Sequence, residues 1–348
     1  MKNKMWGYIE EQKEVMNHIL NKESELLSFL PQYQNIKEII IAASGSSLNA
    51  AMLAAGLVSH QTEIRLTVDT PFHLRNETTL LQTHPQGKLL IVLSQTGKSV
   101  STLECIPLAK SHHIPVLALT ADRASPIACQ ADVHVPVLCG EEPVGPKTKG
   151  FSASVLTLHL ILMHLTKDSY HDQIIIEYQK SIQDLPVNIS DTLKWCTAHQ
   201  QWAKAEVMSV VGFGVHHATA REGSLKLLET MQMPVMNFEM EEFMHGPHRT
   251  IISGAYVILI DSDGAGKDLM EHLIDFTKSK TENYLVLSQC READDHMIHV
   301  NPYSLTKSWF NLIVPFQIMC TYFPEVNGIN SSDPVYGDFA VAVGTRMA

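Results

Sequence analysis

No two of the six cysteines stand as a C-x-x-C pair, so neither a zinc-binding spacing nor a disulfide framework can be read from them. Cys105, Cys129, Cys139, Cys196, Cys290 and Cys320 lie far apart, which fits reduced thiols in cytoplasm. No run of Lys or Arg occurs and the formal net charge is −11. Phosphate-backbone binding needs a basic face, so no nucleic-acid partner is expected. The first 30 residues are mixed in charge and carry no apolar signal core. One uncharged stretch, 39–58, is long enough for a membrane span. It changes character halfway, however: 39–43 reads as a buried strand, Ser44-Gly-Ser-Ser47 as a turn and 48–58 as an Ala-rich helix. No membrane partner is expected either. Nucleotide fingerprints are also missing. Gly97-Lys98-Ser99 ends like a P-loop, but Val92 stands where that motif needs glycine, and after Gly212-x-Gly214 the third glycine of a dinucleotide motif is replaced by His217. No cofactor is expected.

What is present is a chain of 348 residues, 45% hydrophobic, enough for two cored domains. A helix is expected over 5–30, with Trp6, Ile9, Val15, Ile19 and Leu26 on its apolar side. Strand-like runs follow at 37–43, 64–68, 88–93, 114–119 and 132–137, most of them separated by helical patterns at 48–59, 99–112 and 150–166. That alternation specifies an α/β fold with a mostly parallel, doubly wound sheet. The second half repeats the scheme: 41–45 matches 210–214, 90–94 matches 257–261, and 115–119 matches 284–288. Two copies of one α/β unit are therefore expected, with a boundary near 168–190, where 167–172 and 184–186 break the pattern.

Ligands of open α/β sheets bind beyond the carboxyl ends of the strands. In the first copy two such ends are rich in hydroxyls: Ser44, Ser46 and Ser47 follow one strand, and Ser94, Gln95, Thr96 and Ser99 follow another. Each leads into a helix whose free N–H groups and positive dipole end favour an anion. Plain helix capping would use the same residue types, but two such loops on one sheet point to a monophosphate. The second copy has Asp261-Ser-Asp263 in the corresponding place, and carboxylates repel phosphate. One phosphate pocket is expected, in the first copy.

The second copy offers different chemistry. In Ala220-Arg-Glu-Gly-Ser-Leu-Lys-Leu-Leu-Glu-Thr230, Glu222, Lys226 and Glu229 fall within about 60° of one another on a helix. Leu225, Leu227 and Leu228 leave little of that helix to face water. Two carboxylates and an ammonium in one row, with His245 following in Glu241-Glu-Phe-Met-His-Gly-Pro247, supply the groups that move a proton between carbons. The competing reading is a solvated Glu–Lys pair contributing about 0.2–0.5 kcal/mol. For metals, His112-His113, His216-His217 and His245-x-x-His248 are the candidates. Adjacent histidines splay apart and Gly246-Pro247 prevents helical chelation, so no metal is expected.

These motifs resemble the sugar isomerase (SIS) family, specifically the two-SIS-domain isomerase portion of glucosamine-6-phosphate synthase and the related phosphosugar deglycases. The likeness covers roughly 35–330 and is most specific at Glu222-Gly-Ser-Leu-Lys-Leu-Leu-Glu229 and His245-Gly-Pro247. It implies an N-terminal helix over 1–30, a phosphate-binding SIS domain over 31–170, a catalytic SIS domain over 171–330 and a tail over 331–348. It further implies that the loops 44–47 and 94–97 hold a sugar 6-phosphate, that Lys147 contacts substrate, and that Glu229 shuttles a proton between C1 and C2. His245 would assist ring opening from a neighbouring subunit, making a homodimer with shared sites. Lys226 stays open between a Schiff-base nucleophile and an electrostatic positioner, because an amine must be neutral to attack and two carboxylates on its own face raise its pKa.

Three departures shape the expected activity. No glutaminase domain precedes the repeats, Lys98 replaces an acid of the synthase, and the tail lacks the synthase's lysine, leaving Arg346 as the nearby cation. They point to a cytoplasmic isomerase or deglycase acting on a 6-phosphorylated amino sugar or sugar–amine adduct. The alternative is a non-catalytic phosphosugar sensor. Against it, Glu10, Glu11, Glu14, Glu23 and Glu25 leave no basic recognition helix at the N-terminus, and a sensor has no need of Glu229 or His245.

Overall fold

Strand–helix alternation produces two all-parallel five-stranded sheets in this computed structural model, which describes residues 3–33, 35–58, 62–83, 85–292 and 294–347. Positions 1, 2 and 348 of the expected terminal segments, and 59 of the expected helix 48–59, lie outside the described residues. The chain divides into two compact units: one holds Glu14–Glu142, Lys149–His171 and Pro334–Ala348, the other Met1–Lys13, Pro143–Thr148 and Asp172–Asp333.

In the first of these, the strands are β1 (Glu38–Ala42), β2 (Arg65–Asp69), β3 (Lys88–Leu93), β4 (Val116–Thr120) and β5 (Val133–Pro136), in the order β2-β1-β3-β4-β5. The second has β6 (Met208–Gly212), β7 (Val235–Glu239), β8 (Tyr256–Asp261), β9 (Tyr284–Ser288) and β10 (Met297–His299), ordered β10-β9-β8-β6-β7. Substituting β6 for β1 and continuing in sequence turns one order into the other, so the repeat read from the sequence is a repeat of topology. The matched segments are the central strands of each sheet.

Central strands are apolar because helices cover both faces. β3, β4, β6 and β9 are buried along their whole length, and each fully buried Val, Leu or Ile contributes about 1.5–3 kcal/mol. The helices that matter below are α1 (Met5–Asn21), α2 (Ser46–Val58), α3 (Val100–Ser111), α4 (Lys149–Thr166), α5 (His216–Met231), α6 (Met240–Met244) and α7 (Trp309–Val326). Cys105, Ile106 and Ala109 of α3 pack under Ile40, Leu90, Val92 and Val116, while α2 and α4 pack on each other. In the other unit α5 packs on α7.

The expected N-terminal helix ends earlier than 30: α1 stops at Asn21, and a short turn, Glu23–Leu26, follows. Ile9, Ile19 and Leu26 are buried as expected, and Trp6 and Val15 are half-buried. The uncharged stretch 39–58 is β1, a turn and α2. Among the described residues no helix is long and apolar enough to cross a membrane.

Candidate active site

The hydroxyl loops both lie at carboxyl ends of strands. Ser44 and Gly45 follow β1 exposed, and Ser46 and Ser47 form the first turn of α2, half-buried. After β3, Ser94 is buried, Gln95 and Thr96 are half-buried, and Ser99 stands at the N-cap of α3. The Ser99 side chain makes no capping bond there; its Oγ accepts from Thr102 Oγ1 at 2.9 Å. The simple capping explanation therefore fails for this residue.

Gln95 is held by Cys139 and Glu142, to which the sequence assigned no role. Its Nε2 donates to Cys139 Sγ at 3.4 Å and reaches Glu142 Oε2 at 3.5 Å. The same Glu142 oxygen accepts from Gly150 N–H at 2.9 Å, placing a buried carboxylate at the start of α4, where a helix favours negative charge. Gly150 is needed for this: a Cβ there would lie 2.0 Å from Gln95 Nε2. Burial pushes the Cys139 thiol up, so it acts as a neutral contact. Neither Cys139 nor Glu142 carries a sequence motif, whereas Gly150 lies in Thr148-Lys-Gly-Phe151, the segment that closes the sugar pocket in the family the sequence resembles. Lys147, the residue the family likeness put at substrate, is half-buried and belongs to the other compact unit.

The C-terminal tail returns to the second loop. Val100 N–H donates to Thr345 O at 3.2 Å, Met347 N–H donates to Lys98 O at 3.0 Å, and Arg346 pairs antiparallel with Ser99. The Arg346 side chain is exposed.

At the matching end of the second sheet, Asp261 is buried and accepts from Ser288 Oγ at 2.7 Å and from Arg291 Nε at 3.3 Å. A buried carboxylate engaged with an arginine thus stands at this strand end, where the first sheet has Ser94.

On α5 the carboxylate–lysine row is buried, which overturns the solvated-pair alternative. The Glu222 and Lys226 side chains are each 1% exposed, and Lys226 Nζ lies 3.6 Å from Glu222 Oε1. Nζ donates to Glu229 Oε2 at 2.6 Å, and Glu229 is 33% exposed. Burial pulls the Lys226 pKa down, but Glu222 and Glu229 outweigh it and drive it well above the usual lysine range. The amine is therefore held as an ammonium, which favours positioning over Schiff-base attack. Burial also pushes the facing Cys320 thiol up to about 12, partly opposed by Lys226.

The close seat of α5 on α7 explains this burial. A Cβ at Gly223 would stand 2.5 Å from the ring of Phe316, so the helices meet where only glycine fits. Leu227 is buried and Leu225 half-buried, but Leu228 is exposed. It lies on the opposite side of the helix from the buried stripe, so the expectation that all three leucines would cover α5 is wrong for that residue.

His245 stands exposed just after α6, which Glu239 caps by accepting from Glu241 N–H at 2.6 Å and Glu242 N–H at 3.2 Å. Among the described residues no hydrogen bond or ion pair joins His245 to Glu229 within the chain. Of the weighed histidine pairs, His216 is buried and held neutral, its pKa lowered to about 4 by burial. None of the three pairs contributes to the one trio of close metal-ligating side chains among the described residues, Glu23, His164 and His171.

Tandem parallel α/β units with serine-rich strand ends and an acid–lysine helix define a sugar-isomerase type of protein. The SIS domain family model matches residues 32–164 and 202–313, and the chain belongs to that family. It is 23% identical over 318 residues to glutamine–fructose-6-phosphate aminotransferase (isomerizing) of Mycolicibacterium paratuberculosis, covering 87% of this chain and 50% of that protein. The chain thus spans about half the length of the curated relatives it matches. Among solved structures, one from Clostridium difficile, described provisionally as a phosphosugar isomerase, superposes with a TM-score of 0.91 at 24% identity over 99% of both chains. The C-terminal domain of glucosamine–fructose-6-phosphate aminotransferase from Francisella tularensis matches 96% of this chain and 98% of its own, with a TM-score of 0.82 at 20% identity. Glucosamine-6-phosphate deaminase from Thermotoga maritima gives 0.76 at 19% identity over 96% and 98% of the two chains.

Proposed function

We propose that the chain is a cytoplasmic phosphosugar isomerase or deglycase that acts on a 6-phosphorylated amino sugar or sugar–amine adduct. The observation that carries this reading is the row on α5: a buried Glu222–Lys226 pair with a third member, Glu229, open to solvent. Such a row holds a carboxylate beside a fixed ammonium and leaves it accessible to a substrate proton. In this reading Glu229 takes the proton from C2 and returns it at C1, the electron pair passing through an enediol or its amino counterpart. Lys226 and Glu222 position Glu229. Ser44, Ser46, Ser47, Ser94, Gln95, Thr96 and Ser99 of the 31–170 domain receive the phosphate, with Lys147 as a further substrate contact.

His245 is assigned to ring opening from a second copy in a homodimer. Its exposure just after α6 supports that assignment. The relatives' names mention both isomerisation and amine removal, and one proton shuttle serves both: with an amine at C2 it passes through the amino-enol to a C2 imine, whose C–N bond water hydrolyses to leave a ketose and ammonia.

Glu229→Gln is expected to lower turnover at least about 100-fold, a typical contribution of a positioned base, while hexose-6-phosphate binding stays within about threefold by calorimetry. The substrate is to be found with a panel of phosphorylated amino sugars and Amadori-type adducts, products resolved by mass spectrometry. Unchanged turnover in Glu229→Gln removes the base assignment. Binding across the panel without any product favours a sensor.

A further inference from the structure

Two histidines converge on one carboxylate far from the loops discussed above. Glu23 Oε1 lies 3.0 Å from His164 Nε2 and 2.6 Å from His171 Nε2, and the two rings meet edge to face with centroids 4.9 Å apart. All three ligand atoms lie within 4.8 Å of one another. We propose that Glu23, His164 and His171 bind a divalent transition-metal ion of the zinc class, in a site separate from the proposed substrate chemistry and independent of that reading.

The donor set selects the ion. Two imidazole nitrogens and one carboxylate oxygen suit zinc and its neighbours, whereas magnesium and calcium require mostly oxygen. In a tetrahedral shell with bonds of about 2.0–2.1 Å, donor atoms stand roughly 3.3 Å apart. Glu23 Oε1 stands 3.0 and 2.6 Å from the two imidazole nitrogens, so these two separations would open by about 0.3 to 0.7 Å to admit the ion. Access exists. The side chains of Glu23, His164 and His171 are 16%, 42% and 28% exposed, and they line an open cleft of about 1090 Å³ shared with Tyr33, Ile64 and Lys167. The cleft leaves a fourth coordination position for water.

Position separates this cluster from the phosphate loops of the same unit. Gly150, beside Gln95, opens α4, and from there to His164 the helix rises about 21 Å at 1.5 Å per residue. Ile36 and Ile64 of the cleft precede β1 and β2, so the cleft sits at the amino ends of the strands and the hydroxyl loops at their carboxyl ends. Residues 23, 164 and 171 belong to three chain segments: the short turn after α1, the last turn of α4 and the start of the helix His171–Gln183. An ion there would tie the three side chains together beyond the shared carboxylate and the ring contact.

The test uses the full chain stripped of metal by chelation and dialysis, titrated with zinc chloride by calorimetry. One equivalent is expected to bind with a dissociation constant of about 10 µM or tighter. His164→Ala and Glu23→Gln are each expected to weaken binding at least tenfold, while His112→Ala, a histidine outside the cluster, leaves it unchanged. Cobalt substitution is expected to give the visible d–d absorption of a four-coordinate ion in the wild type and to lose it in His164→Ala. A crystal soaked in zinc should show anomalous scattering between the three side chains. Wild-type binding weaker than about 1 mM, or zinc binding unaffected by both substitutions, overturns the proposal. His164→Gln, at the most exposed of the three positions, gives the same answer if the alanine variant does not fold.

Discussion

Replacing Lys226 by methionine removes the cation from a buried row and tests whether burial or surface pairing describes it. Glu222 would be left as a carboxylate only 1% exposed, its lysine partner at 3.6 Å gone. Removing one partner of a buried pair typically costs about 3–5 kcal/mol, because the other charge loses its counter-charge in a place water does not reach. An exposed pair costs about 0.2–1 kcal/mol. Glu229, one-third exposed, can turn to water and adds little. At about 2–4 °C per kcal/mol for domains of 150–250 residues, the expected loss in melting temperature lies between roughly 6 and 20 °C. Urea unfolding gives the free energy directly. The double variant Glu222→Gln with Lys226→Met should recover most of the loss, since it leaves no buried charge. A single-variant cost under about 1 kcal/mol, or a double variant no better than the single, would refute the reasoning.

Other outcomes follow from the same structure. Mixing Glu229→Gln chains with His245→Ala chains should restore part of the activity if the two residues act across a homodimer; assay of the mixture against each parent decides it. Gly150→Ala should raise KM by about tenfold, equivalent to about 1.4 kcal/mol of lost binding, with little change in melting temperature, because its Cβ would displace the end of Gln95 rather than backbone. An unchanged KM would show that Gln95 does not touch substrate. Burial lowers the pKa of His159 to about 3 and of His216 to about 4. The folded chain keeps both rings neutral, while the unfolded chain takes up protons below about 6.5. Their contribution is thus complete above about pH 6.5 and is lost towards acid at about 1.4 kcal/mol per ring per pH unit. Urea midpoints at pH 7 and 5 should therefore differ, and by less in His159→Leu.

The central strands were legible because parallel strands buried on both faces read as unbroken apolar runs, as Leu89–Leu93 does. In the second copy the edge strands β7 and β10 escaped notice. β7 is only partly buried beyond Val235, and β10 has three residues, so neither makes a long apolar run. Glu222, Lys226 and Glu229 could be grouped because they stand on successive turns of one helix. Their burial could not, since it depends on Phe316 of α7, nearly a hundred residues away. The brace on Gln95 and the Glu23, His164 and His171 cluster join residues more than forty positions apart, a separation that local spacing does not encode.

The contact of Gly223 with Phe316 gives the smallest residue of α5 authority over its most polar ones. Any side chain there would press on the Phe316 ring, so the seat of the helix that carries Lys226 and Glu229 depends on one aromatic side chain of α7. Trimming or enlarging position 316 is therefore a way to move that helix while every charged group on it stays as it is.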